Sequence, residues 1–175
     1  EQFNRPMKEG LYTDYGNRET LLELVRFKST KADGYTSLAE YKERMLPDQK
    51  AIYYVTGDNI EALRKSPLLE AYKKKDIEVL LMDDEVDEIV APTIGSYKET
   101  ELKPINRSDA GEDLKDEASG EKAKEIQPIL TKIKAVLKDQ VKDVVASVRL
   151  SDSPSCIVLA ASDPSLKIQE LLKSM

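Results

Sequence analysis

The side chains with the most evident chemical capacity are five carboxylates within six residues: Asp83, Asp84, Glu85, Asp87 and Glu88. Hard cations such as calcium and magnesium select oxygen donors of this kind, so a metal-dependent enzyme site is one reading of the run. It lacks the alternating spacing and central glycine of a calcium loop. The same residues suit the start of a helix, where the positive end of the dipole favours negative charge. That second reading is the better supported. Thr56-Gly57-Asp58 joins an apolar run to a helical one, a place where phosphate can bind. One glycine does not make a phosphate loop, however, and Asp58 would repel an anion.

Histidine is absent from all 175 residues, which removes the common Ser-His-Asp and Cys-His arrangements. Cys156 is the single cysteine. It excludes an internal disulfide, fits a reducing compartment, and sits in an apolar run without an adjacent base, as a buried structural thiol would. Lys73, Lys74 and Lys75 form a basic run that favours a helix C-terminus as readily as a docking patch. A net charge of −6 argues against general nucleic-acid binding, whose affinity comes from neutralising phosphates. No apolar run approaches the roughly 20 residues needed to cross a membrane.

These side chains must be held by elements whose signals are strongest over residues 36–59. Ser37 followed by Glu40 is a capping box, and Leu38, Tyr41 and Met45 give the ensuing helix an apolar side. Pro47-Asp48 ends it. Residues 51–56 carry no charge and are rich in β-branched and aromatic types, as expected of a strand covered on both faces. Gly57 permits a sharp exit, and Asp58 with Glu61 repeats the capping pattern. A short helix over 59–65 stops at Ser66-Pro67, which opens the next one. Residues 77–82 read as a second buried strand, 85–94 as a helix and 99–105 as a further strand. Strand, helix and parallel strand in succession predict an α/β fold, a three-layer αβα module of βαβ units around a mainly parallel sheet.

Upstream, residues 1–16 give little pattern, and Asn17 caps a helix carrying Leu21, Leu24 and Val25. Downstream, residues 106–120 contain a single large aliphatic side chain, too little to offset the entropy of ordering, and read as a linker. An amphipathic helix over 121–138 follows, with Ile126, Ile129, Leu130, Ile133 and Leu137 on one side and Pro128 inside it. Residues 141–150 and 156–160 read as strands joined by a hairpin at 151–155. A last helix begins at Asp163-Pro164, giving a second, smaller α+β module.

The stretch Thr36, Ser37, Leu38, Tyr41, Arg44, Met45, then Gln49, Lys50, Ile52, Tyr53, Tyr54, Val55 and Thr56, closely resembles the middle domain of the ninety-kilodalton heat-shock chaperones, of which bacterial HtpG is one branch. Asn17-Arg18 and residues 24–27 extend the likeness. The resemblance implies that 1–103 is the C-terminal part of that middle domain, with 1–30 a helical lead-in and 36–103 the αβα module. It implies that 104–120 is an acidic linker and that 121–175 is the start of the chaperone's C-terminal domain. Such proteins are homodimeric, ATP- and magnesium-dependent, and bind partly folded client proteins. The ATP-binding domain and the dimerising helices fall outside the matching region, so the chain is expected to be an excised, non-catalytic piece without a cofactor of its own. The client-contact positions that match are Glu88 and Ile89, and, on the last helix, Pro164, Ile168, Leu171 and Leu172. Ile89 stands where the family has an aromatic residue. Pro164 and Ile168 stand where it often has tryptophan or methionine. A bacterial cytoplasmic origin is expected, with no membrane or nucleic-acid partner. The alternatives are a stand-alone metal-dependent α/β enzyme using the 83–88 carboxylates, and a two-module adaptor.

Overall fold

The computed structural model describes residues 3–110, 114, 117–160 and 163. At its centre is β3 (Ala51–Thr56), which pairs in parallel with β4 (Val79–Met82) on one side and β6 (Thr100–Pro104) on the other. The outer strands β1 (Phe27–Ser29), β2 (Tyr35–Thr36) and β5 (Ser96–Tyr97) are antiparallel, in the order β2-β1-β4-β3-β6-β5. The expected parallel βαβ units thus form the middle of a six-stranded mixed sheet.

Both faces of the sheet are covered, because successive β3 and β4 side chains point to opposite sides. Ile52, Tyr54, Leu80 and Met82 join one core with Leu11, Leu22, Leu38 and Val90, contributed by α1 (Asn4–Thr13), α2 (Arg18–Leu24), α3 (Leu38–Glu43) and α6 (Asp87–Ile94). Ala51, Tyr53, Val55, Val79 and Leu81 meet Leu63, Leu69 and Tyr72 on the other face. These come from α4 (Ile60–Arg64), the 3-10 turn Pro67–Leu69 and α5 (Glu70–Lys74).

The residues that carry the family resemblance form a latch between α3 and the sheet. Ser37 and Glu40 make both bonds of the capping box. Tyr41, buried, donates its hydroxyl to the Glu78 carbonyl at 2.6 Å and accepts from the Tyr53 amide at 3.1 Å and the Gln49 side chain at 3.0 Å. Arg44 grips the Glu78 carboxylate with two nitrogens, each at 2.9 Å, and reaches Thr36 Oγ1 at 2.8 Å. The Glu78 side chain is only 2% exposed, so this fork supplies the charge its burial requires.

Several local expectations are corrected by packing. Residues 4–13 form α1, because Asn4 exchanges two side-chain bonds with the Arg26 backbone and Leu11 is buried. Asn17 stands at the N-cap of α2 as expected but makes no side-chain cap bond; the capping bond is made one turn earlier by Asp14, which opens the 3-10 turn Tyr15–Asn17 and accepts from the Asn17 amide. The α4 cap is Asn59, not Asp58: its side-chain Oδ1 accepts from the amides of Glu61 and Ala62. At Gly57, a Cβ would lie 2.9 Å from Leu63 Cδ2, so any side chain there requires Leu63 to shift.

Beyond β6, Ile105, Ala110 and Leu114 are buried, although their stretch of sequence is polar. Next comes α7 (Glu117–Leu137), which includes Pro128 and starts earlier than expected. Its Ile126, Ile129 and Ile133 are exposed. The described residues of 141–160 form no strand, contrary to the reading of 141–150 and 156–160. Their one bridge joins Leu159 to Arg107 in parallel. The apolar alternation is present, but the hydrogen-bonding groups engage the 105–108 stretch and α5 instead of each other.

Candidate functional site

Two places on this scaffold bring chemically distinctive side chains together. The first is the start of α6, where the acidic run lies. Lys8 reaches across from α1 to Asp84 Oδ2 at 2.5 Å and to Asp87 Oδ1 at 2.8 Å, and also lies 4.9 Å from the centre of the Phe27 ring. Lys8 and Asp87 are both buried. Burial pushes the Asp87 carboxyl above the ordinary value, while the Lys8 charge acts in the opposite direction. Asp87 also accepts from the Asp84 amide, closing the turn that opens α6. Asp83 pairs with Lys28 at 2.7 Å, and Glu85 lies 3.7 Å from Arg5. The carboxylates therefore fan out to separate cations. Among the described residues no group of three or more acidic or thiol side chains is placed to hold a metal ion, so the metal-enzyme alternative has no convergent donor set there.

This bracing fixes what α6 presents. Glu88 is half-buried and Ile89 is 52% exposed, adjacent on the first turn. Arg18 braces the other end of the helix by donating to the Leu11 and Thr93 carbonyls. Pro164, Ile168, Leu171 and Leu172, the other client-contact positions, lie outside the described residues.

The second place is the joint between the sheet and residues 141–160. Arg149, 4% exposed, donates to the carbonyls of Ile105 at 2.7 Å, Arg107 at 2.6 Å and Ser108 at 3.3 Å. Its own carbonyl accepts from the Ala71 amide. From α5, the Glu70 carboxylate accepts from the Ser153 hydroxyl and from the backbone N–H groups of Ser151, Asp152 and Ser153. The Ser153 hydroxyl contributes most, and together these bonds hold the Glu70 carboxyl down to about 2. Leu159 bonds Asn106 and Ser108 through its backbone. Val148, Cys156 and Val158 pack on the core beneath. Burial raises the Cys156 thiol, which makes it a packing residue rather than a nucleophile.

Of the remaining candidates, the first amides of α4, next to the Thr56-Gly57-Asp58 turn read as a place for phosphate, are taken by the Asn59 side chain. Lys73 donates to the carbonyl of Arg64, the last residue of α4, and Lys75 donates to the Leu114 carbonyl. Lys8, Glu70 and Arg149 were not picked out by sequence reasoning. Arg149 had a readable signal, a lone cation in the apolar run 144–150, since a buried guanidinium must find acceptors. Lys8 had none.

With this geometry in view, the comparisons with known proteins agree. The sequence profile of the family described as Hsp90 protein matches residues 1–175. The chain is 52% identical to the chaperone protein HtpG of Treponema denticola over 182 residues, covering 99% of this chain and 28% of that protein. It is 54% identical to HtpG of a Sulfurovum species over 165 residues, covering 94% and 27% respectively. Among solved structures, the middle domain of a Plasmodium falciparum heat shock protein aligns with a TM-score of 0.56 and 34% identity, covering 59% of this chain and 44% of that one. The chain thus spans about 28% of the length of the curated relatives it matches.

Proposed function

This chain belongs to the Hsp90 family, and from that membership we propose that it is the client-contact and interdomain-coupling part of an ATP-dependent chaperone that assists the folding of partly folded proteins. The observation that carries the reading is the start of α6, where a large apolar side chain, Ile89, stands exposed beside Glu88 on a turn held by the buried Lys8–Asp87 pair. An exposed apolar residue on a braced element suits transient contact with unfolded segments, because little ordering entropy is lost when it binds. Pro164, Ile168, Leu171 and Leu172 form the second contact region, and the joint at Glu70 and Arg149 transmits movement between residues 1–103 and 121–175 across the 104–120 stretch.

In this reading ATP and magnesium act in a part of the protein outside this chain, which itself hydrolyses no ATP. The full protein works as a homodimer, in the cytoplasm of a bacterium. The organisms of the relatives support the bacterial source, and no helix among the described residues is long and apolar enough to cross a membrane.

Titrating the isotope-labelled chain with reduced, carboxymethylated lactalbumin, an unfolded protein, tests the contact surface. Signals of Glu88, Ile89 and Ile168 are expected to move first, and Ile89→Asp to weaken binding roughly fivefold or more. Equal movement of unrelated surface residues, or no effect of that substitution, would overturn the assignment.

A further inference from the structure

Between α6 and the carboxyl ends of β3 and β6 lies a crevice of roughly 440 Å3, lined by Tyr54, Glu88, Pro92, Lys103, Arg107 and Asp109 among others. Its floor is unusual. Tyr54 is only 4% exposed, yet its hydroxyl meets no hydrogen-bonding partner among the described residues. Other buried tyrosines of this chain are satisfied: Tyr41 donates to Glu78, Tyr72 to the Ala110 carbonyl and Tyr97 to Glu23. The Tyr54 ring is buried while the hydroxyl opens onto the crevice, where it stands available to a ligand's donor.

The charges around the crevice state which ligand fits. Both of its cations are already engaged, Lys103 with Glu101 at 3.7 Å and Arg107 with the carbonyls of Ala160 and Asp163. Glu88 and Asp109 have no ionic or hydrogen-bonded side-chain partner among the described residues. The unfilled capacity is therefore mostly for accepting hydrogen bonds, and it carries negative charge.

We propose that this crevice takes the cationic side chain, arginine or lysine, of an extended client segment, with Glu88 and Asp109 meeting its charge and the Tyr54 hydroxyl accepting an N–H. The inference rests on the client-contact reading and deepens it. Ile89 meets the apolar part of a client, and the crevice beside it meets the nearest basic residue.

The test uses the 175-residue chain and two capped tripeptides, acetyl-Ala-Arg-Ala-amide and its neutral citrulline counterpart, followed by amide chemical shifts. The arginine peptide is expected to shift Glu88, Asp109 and Ala110 saturably. The citrulline peptide should bind about tenfold more weakly, and Glu88→Gln combined with Asp109→Asn should weaken the arginine peptide by a similar factor. Tyr54→Phe should lower affinity about threefold while leaving the urea midpoint in place, because its hydroxyl has no internal bond to lose. Equal binding of the two peptides, absence of a saturable shift, or indifference to Tyr54→Phe would overturn the proposal. If unfolded lactalbumin still moves Ile89 while the arginine peptide leaves the crevice silent, only the crevice assignment falls. If neither moves, the client-contact reading falls with it.

Discussion

The α3 latch on the sheet and the joint at residues 141–160 each rest on one arginine set against oxygen acceptors, Arg149 buried and Arg44 partly exposed over a buried carboxylate, yet they build different kinds of structure. At the latch, Arg44 meets a carboxylate, and the elements it joins already have their own helical and strand hydrogen bonds. Its role is to neutralise Glu78 inside a core that apolar burial has assembled. At the joint, Arg149 meets three carbonyls of a chain that has no ladder of its own. There the side chain supplies the order that secondary structure supplies elsewhere. Polar networks thus act as locks where the backbone is paired and as scaffolding where it is not.

The sharpest break in that comparison is expected at Arg44. Arg44→Ala leaves the Glu78 carboxylate buried and unpaired, at a cost of roughly 3–5 kcal/mol, read as a fall in the urea midpoint of the whole chain. Lys8→Met orphans Asp87 in the same way and should cost roughly 3 kcal/mol, with the amides of α1 and the start of α6 losing exchange protection before those of β3. Either result below about 1 kcal/mol would mean that the surrounding core relaxes around the charge.

Arg149→Met tests the other half of the comparison. Exchange at the Leu159 amide, which bonds Asn106, should quicken about tenfold, while Tyr53 in β3 keeps its protection. Simultaneous loss at both amides would show that joint and sheet are one cooperative unit. The smallest effect concerns pH. The Glu70 carboxyl titrates near 2, below its unfolded value, so its contribution is complete above about pH 5 and fades as pH falls toward 2. Amides 151–153 should lose protection over that range in the native chain and show no such dependence in Glu70→Gln.

How much of this was legible depended on the distance over which each signal acts. The capping box at Ser37 and Glu40, the uncharged run of β3 and the proline start at Ser66-Pro67 are governed by neighbours within four residues, and all stand as read. Asp58 and Asn59 are both competent caps; the choice between them depended on backbone geometry that a pattern does not carry. Ile89 was placed by resemblance and is exposed on α6. The apolar alternation over 141–150 correctly marked buried positions such as Val148, but not which backbone would pair with them.

By itself the sequence determined the family and the helices and strands around β3, because periodicity and capping are local and the motif from Thr36 to Thr56 is long. Only the tertiary structure decided that Lys8 would be buried against Asp87, that Arg149 would thread the carbonyls of 105–108, and that the Tyr54 hydroxyl would be left open. Each depends on groups tens of residues apart meeting in a low-dielectric interior, where a charge or hydroxyl is defined by what surrounds it rather than by what precedes it in the chain.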